Sequence, residues 1–288
     1  MLVDLALPGA TGLTSIDEIM GHTPCAILVL CGNVDADSAR VFDAMGRGAI
    51  DAVDTPVEGA LTSGGFATFL GKIDTIARLV ATPRYIPGAA SIGDTMSIQR
   101  KDRLIALGAS AGGPSALATL LRGLPGDLPA AVVIVQHVDE QFAKGMATWL
   151  GKSSALPVRV AREGDELLPG VVLLAATNDH LAFKGSNRIG YTPEPRDYTY
   201  RPSIDIFFES LCKWWAGDAV GVLLSGMGRD GAKGLMALRS KGLYTIAQDQ
   251  ATSAVFGMPM AAAALGAAVD ILPLERIAPR LVEFCCRF

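Results

Sequence analysis

Apolar and polar residues alternate along this chain in two rhythms. Short continuous apolar runs, as in CAILVLC (25–31), RLIALG (103–108), AVVIVQ (131–136) and AVGVLLSG (219–226), are too brief for buried helices and read as strands covered on both faces. Longer stretches with apolar residues three and four apart follow them. SARVFDAMGRG (38–48), FATFLGKIDTIARLV (66–80), PSALATLLRGL (114–124), FAKGMATWLGKS (142–153), SIDIFFESLCKWWA (203–216) and GAKGLMALRSKG (231–242) read as amphipathic helices. Further strands are expected at LVDLAL (2–7), AIDAV (49–53), VRVA (158–161), VVLLAA (171–176) and YTIAQ (244–248), and a short helix at TSIDEIMG (14–21). HLAFKG (180–185) and RIGYTP (188–193), joined through Ser186-Asn187, predict a β-hairpin. Residues 259–285 read as helix, strand, helix. Such alternation predicts an α/β architecture, a doubly wound, mostly parallel sheet with helices on both faces.

The rhythm breaks at residues 82–102, which carry two prolines, two glycines and no sustained period. That stretch is the expected linker, between a smaller unit at 1–81 and a larger one at 103–288. A chain of 288 residues, 50% hydrophobic and 19% charged, is ample for both cores.

A net charge of −4 with no basic block argues against nucleic acid as a partner. No apolar run reaches the ~20 residues of a spanning helix, so direct membrane insertion is not expected. Five cysteines without a CxxC pair fit reduced thiols in the cytoplasm, and three histidines without clustered Cys/His spacing give no zinc pattern.

In an open parallel sheet, ligands meet the residues past the carboxyl ends of the strands. Three strands there end in reactive groups: Ser110 after 103–108, His137 after 131–136, and Asp230 in the turn after 219–226. A serine hydroxyl needs a base to take its proton, and the base needs a third group to hold its tautomer. If the three strands are neighbours, Ser110 is a nucleophile, His137 its base and Asp230 the orienting acid. Small flanking residues at Ala111 and Gly112 leave room for a substrate carbonyl, and the helix beginning near Pro114 offers N–H groups to an oxyanion.

Each residue has another reading. Ser110 could cap a helix, and its Gly-rich turn could cradle a phosphate, although neither GxGxxG nor GxxxxGK[ST] is present. Asp230 could be a plain turn residue, and His137 a structural one. His180 is a rival base or a substrate-lining group. Gly108-Ala109-Ser110-Ala111-Gly112 fits the spacing G-x-S-x-G. The order Ser, His, Asp nevertheless differs from the α/β-hydrolase order. A nucleotide-binding protein and an inactive regulatory adaptor are the rival classes.

Residues 103–288 resemble the catalytic domain of the chemotaxis-receptor methylesterases, the CheB family. LIALGASAGGPSAL, VVIVQHV, EGDELLPG, YRPSIDIFFES, GVLLSGMGRDGAKGL, TIAQDQATSAVFGMP and AAVDILPLERI carry the likeness in order. The resemblance implies Ser110, His137 and Asp230 as the triad, with the N–H of Met227 as an oxyanion donor beside Ala111 and Gly112. It also implies hydrolysis of glutamate γ-methyl esters, and deamidation of glutamines, on the cytoplasmic helices of chemoreceptors. No cofactor is implied for that chemistry. Segments 38–56 and 136–150 look closest to Wsp-type members.

Residues 1–81 resemble only the second half of a response-regulator receiver, a flavodoxin-like domain. Asp4 stands at the phosphoacceptor position, and a CheA-type kinase would be the partner of a working receiver. The family's magnesium-binding acidic pair has no counterpart here. Cys31 stands where Ser or Thr is usual, and Thr55 where the lysine is. These departures argue against phosphorylation of Asp4 and against Mg²⁺ binding. A truncation, or a start placed too far downstream, would explain that departure from the receiver pattern. Half a receiver is expected to expose the strand at 2–7 as an apolar edge, to be poorly stable alone or to lean on the catalytic unit or on a second chain, and to cover the site only in part.

Overall fold

The structure is a computed structural model that describes residues 1–6, 12–32, 37–56, 64–80 and 102–286. The expected linker lies outside the described residues except for Asp102.

The larger unit is built on a seven-stranded sheet. Its strands are β4 (Arg103–Ala109), β5 (Ala131–Gln136), β6 (Val158–Val160), β8 (Val172–Leu174), β11 (Asp218–Leu223), β12 (Tyr244–Gln248) and β13 (Asp270–Leu272). They lie in the order β13-β12-β11-β4-β5-β8-β6, and every neighbouring pair is parallel.

Both faces are covered, which is why these strands read as continuous apolar runs. Ile105, Leu107, Val132 and Ile134 face one layer, formed by α4 (Gly113–Arg122), α5 (Glu140–Gly151) and α9 (Leu274–Cys286). Leu104, Ala106, Val133 and Val135 face the other. That layer comprises α6 (Ile204–Trp214), α7 (Ala232–Ser240) and α8 (Met258–Ala264). The expected hairpin forms from β9 (His180–Phe183) and β10 (Arg188–Thr192), antiparallel. It is joined by β7 (Asp165–Glu166), a two-residue strand too short to show a period.

The smaller unit holds β1 (Leu2–Asp4), β2 (Leu28–Cys31) and β3 (Asp51–Asp54), parallel in the order β1-β2-β3. With them go α1 (Gly12–His22), α2 (Ser38–Gly46) and α3 (Gly64–Val80). Among the described residues β1 pairs only with β2, and Leu2 on it is 48% exposed, so the expected apolar edge is present.

This unit does lean on the larger one. Helix α2 packs on α4 and α5, and Val41, Phe42 and Met45 share one core with Leu117, Leu121 and Phe142. Phe42 and Trp149 meet with ring centroids 5.9 Å apart. Among the described residues no helix is long and apolar enough to cross a membrane.

Candidate active site

Strand β4 lies between β5 and β11, so the three strands whose ends carry Ser110, His137 and Asp230 are adjacent. The chain turns to β5 on one side of β4 and later to β11 on the other. That reversal opens the crevice at their carboxyl ends.

Ser110 is not a helix cap. The N-cap of α4 is Gly112, whose φ of 76° suits glycine. A Cβ there would stand 2.6 Å from Ala254 Cβ and from Ser225 Oγ. The Ser110 backbone is held from three sides. Its N–H donates to Ser225 O (3.0 Å), and its carbonyl accepts from Gly113 N–H (2.7 Å) and Gln136 Nε2 (2.9 Å). The side chain lines a cleft of about 400 Å³ together with His137, Tyr200 and Arg201.

Nor is Asp230 a plain turn residue. It is 9% exposed, and its carboxylate accepts four hydrogen bonds. Oδ2 receives His137 Nε2 (2.7 Å) and Ile204 N–H (2.7 Å). Oδ1 receives Ser203 Oγ (2.8 Å) and Asp205 N–H (3.1 Å). Three of the four donors come from the first residues of α6, where orphan N–H groups and the helix dipole favour an anion. Burial by itself would raise the Asp230 pKa. The hydrogen bond and charge of His137, with the Ile204 and Ser203 donors, outweigh it and hold the carboxyl below its usual range.

With Nε2 donating to Asp230, Nδ1 carries the lone pair. Nδ1 is buried and has no partner among the described residues. No hydrogen bond joins it to the Ser110 hydroxyl among the described residues. Nucleophile and base line one cleft with their mutual bond unmade, as is common before substrate binds.

The expected oxyanion positions divide. The N–H groups of Ala111 and Met227 make no backbone hydrogen bond among the described residues. That of Gly112 is taken by the carbonyl of Met45, 2.8 Å away at the end of α2. In this conformation Gly112 serves as the cap of α4 and as an attachment point for α2.

His180 is neither a rival base nor substrate-lining. It is 0% exposed. Its Nδ1 accepts from Ser203 N–H (3.1 Å) and its Nε2 donates to Pro195 O (2.9 Å). Both nitrogens serve the backbone that presents Ser203 to Asp230.

Three further residues had no role assigned to them in the sequence. The Tyr200 ring stacks on His137, with centroids 3.9 Å apart and planes 10° from parallel. Ser203 caps α6 and also binds Asp230. Asp205, buried in the first turn of α6, accepts Gly234 N–H at 2.7 Å. Burial first, then the charge of Asp230, push its pKa up to about 7. The pattern YRPSID held all three, but only a helix docked against the turn after β11 gives them a purpose.

The smaller unit faces this cleft. Thr68, Lys72 and Ile76 of α3 and Asp51 of β3 line it opposite Ser110. Lys72 is anchored to Asp51 Oδ1 (2.8 Å) and Oδ2 (2.9 Å) and to Ala52 O (2.9 Å). At the far end of the small sheet, Asp4 binds its own chain through Ala6 N–H (2.8 Å). Among the described residues no group of three His, Cys, Asp or Glu side chains could hold a metal ion.

A doubly wound parallel sheet with serine, histidine and aspartate gathered at one carboxyl edge is the arrangement of a serine hydrolase. Residues 105–281 match the family model described as CheB methylesterase. The chain belongs to that family. It is 55% identical over 293 residues to protein-glutamate methylesterase/protein-glutamine glutaminase 1 of Cupriavidus pinatubonensis, covering 99% of this chain and 84% of that protein. It is also 55% identical to the protein of Burkholderia lata that bears the same name with the number 2, covering 98% and 83%. The crystal structure of the Thermotoga maritima CheB methylesterase catalytic domain matches with a TM-score of 0.61 and 33% identity. That match covers 64% of this chain and 98% of the other.

Proposed function

We propose that this protein hydrolyses glutamate γ-methyl esters, and deamidates certain glutamines, on the cytoplasmic helices of chemoreceptors. Ser110 is the nucleophile, His137 the base and Asp230 the acid that orients it. The observation that carries this reading is the Asp230–His137 bond beside Ser110, on three adjacent strand ends.

Asp230 accepts a hydrogen bond from Nε2–H, which stays on the ring, so the lone pair on Nδ1 is free to take the Ser110 proton. Ser110 Oγ then attacks the glutamyl carbonyl carbon. The N–H groups of Ala111 and Met227 receive the negative oxygen, where fixed donors act without reorganising. His137 returns the proton to the leaving methoxide or amide nitrogen, releasing methanol or ammonia and leaving a glutamyl ester on Ser110. Water, deprotonated by the same histidine, attacks that ester; the bond to Ser110 Oγ breaks, the histidine returns the proton to Oγ, and the glutamate carboxylate is released. Every step uses protein groups and water, with no cofactor.

A chemoreceptor substrate of this kind places the protein in the cytoplasm. Within the family we group it with the Wsp-type enzymes, on segments 38–56 and 136–150. A CheA-type kinase would enter only through a phosphorylatable receiver, and the surroundings of Asp4 do not favour one.

The test is methanol release from receptor carrying labelled methyl esters. Ser110→Ala should lower the rate by ~10⁴-fold or more. Full activity in that variant would refute the assignment.

A further inference from the structure

The Ser110 cleft contains an aromatic group that the hydrolytic steps above do not use. Tyr200 lies face to face with the imidazole of His137, at 3.9 Å and 10°. Its hydroxyl donates to the carbonyl of Met227 at 3.4 Å. Burial, and then the charge of Asp230, push the phenol pKa up, so Tyr200 stays a neutral donor.

The loop that carries Tyr200 is tied at several points. Arg201 Nη2 donates to Asp179 Oδ1 (2.8 Å) and Pro193 O (3.2 Å). His180 holds Pro195 O on one side of it and Ser203 N–H on the other. The ring is therefore set against the imidazole by the backbone, and is not a surface side chain resting there.

We propose that Tyr200 is a positioning residue for the triad, holding the imidazole of His137 in the one plane where Nε2 meets Asp230 and Nδ1 stays open to the serine. This rests on the hydrolytic reading of the site. The physical reason lies in the His137 side-chain torsion. A turn about Cβ–Cγ, which would carry Nδ1 away from its place, swings the imidazole edge-on into a ring 3.9 Å away. Offset or parallel aromatic faces at this distance also attract, and the attraction to a ring face grows when the imidazole becomes a cation. The imidazolium forms when Nδ1 takes the Ser110 proton, so Tyr200 stabilises the state that catalysis passes through. Through its hydroxyl, the same side chain fixes the peptide next to the Met227 N–H that receives the oxyanion.

Two variants of the full chain separate ring from hydroxyl. Tyr200→Leu removes the stack, and Tyr200→Phe keeps it. The first readout is kcat and KM for methanol release from methyl-esterified receptor fragment. The second is the ¹⁵N signals of the His137 imidazole in ¹⁵N-histidine-labelled protein, assigned by their loss in His137→Gln. Tyr200→Leu should lower kcat by about 10- to 100-fold, the scale of a small misplacement of a reacting group. Its KM should change little, and its imidazole signals should shift towards averaged tautomers. Tyr200→Phe should restore the single tautomer and most of kcat. The proposal is overturned by a folded Tyr200→Leu protein with unshifted His137 signals, or by a loss that falls in KM alone. Should Tyr200→Leu not fold, Tyr200→Met carries the same test. A Tyr200→Phe protein that loses the single tautomer overturns the proposal by itself. If the wild-type chain releases no methanol, the substrate reading fails, while the imidazole signals still decide the role of Tyr200.

Discussion

The N–H of Gly112 donates across 2.8 Å to the carbonyl of Met45, joining the last turn of α2 to the turn that carries Ser110. One hydrogen bond thus links the smaller unit to the catalytic edge of the larger sheet. The approach is close because Gly46 has no side chain. A Cβ there would stand 2.7 Å from Ser115 Cβ on α4.

Gly46→Leu should therefore wedge α2 away from α4, free Gly112 and draw α3 off the cleft. Methanol release should rise towards the rate of a 103–288 fragment. Such a fragment should fold, since the Thermotoga maritima catalytic domain, a separate chain, is matched over 98% of its length. Equal rates for the wild type, Gly46→Leu and 103–288 would show that the smaller unit places no cover on the site.

Asp230→Asn keeps the shape of the side chain but presents an amide to His137 Nε2, which then loses its preferred acceptor. The imidazole is driven to the tautomer with its proton on Nδ1, the atom that must accept. The expected loss in kcat is on the order of 10⁴-fold. A thermal melt checks that α6, whose first N–H groups this carboxylate also holds, remains in place.

Asp205 gives stability a pH dependence whose sign differs from that of its neighbour. Its carboxyl is raised from 3.8 to about 7 by burial and by Asp230. The folded chain thus keeps a proton that the unfolded chain releases. The resulting stability is complete below 3.8 and is lost as pH rises through about 7. Asp230 is lowered, so its contribution is present above 3.8 and is lost on acidification. Asp205→Asn should gain on the wild type as pH rises from 3.8 to about 7, with each pKa unit worth ~1.4 kcal/mol. Urea midpoints that run parallel with pH for the two proteins would show that Asp205 is ionised throughout.

Phe42 is 0% exposed and packs on Trp149 of α5. Phe42→Ala should cost ~3–5 kcal/mol by leaving a cavity in the shared core. The loss should appear first as early unfolding of the smaller unit. The same dependence predicts no cooperative melt for an isolated 1–81 fragment. A monomeric 1–81 that melts sharply contradicts it.

How far the site was legible follows from the range of each interaction. Ser110, His137 and Asp230 could be picked out because they stand directly after apolar runs, and strand ends are local features. The hairpin was legible from its Ser186-Asn187 turn. Strand β7 was not, having only two residues. Tyr200, Ser203 and Asp205 were visible as letters of one motif without a physical role. Their partners lie far along the chain, as in the Ser203–Asp230 bond, which spans 27 residues.

The sequence by itself determined the alternation of strand and helix and the three reactive groups at strand ends. Burial on both faces and the helical period are written in neighbouring residues. Only the tertiary structure decided that β4 lies between β5 and β11, bringing those groups together. It also decided that His180 supports backbone and that Tyr200 faces His137. It decided, too, that the Gly112 N–H is held by the carbonyl of Met45. Strand order and helix docking are set by packing between distant segments, and no local pattern records which N–H a remote carbonyl will claim.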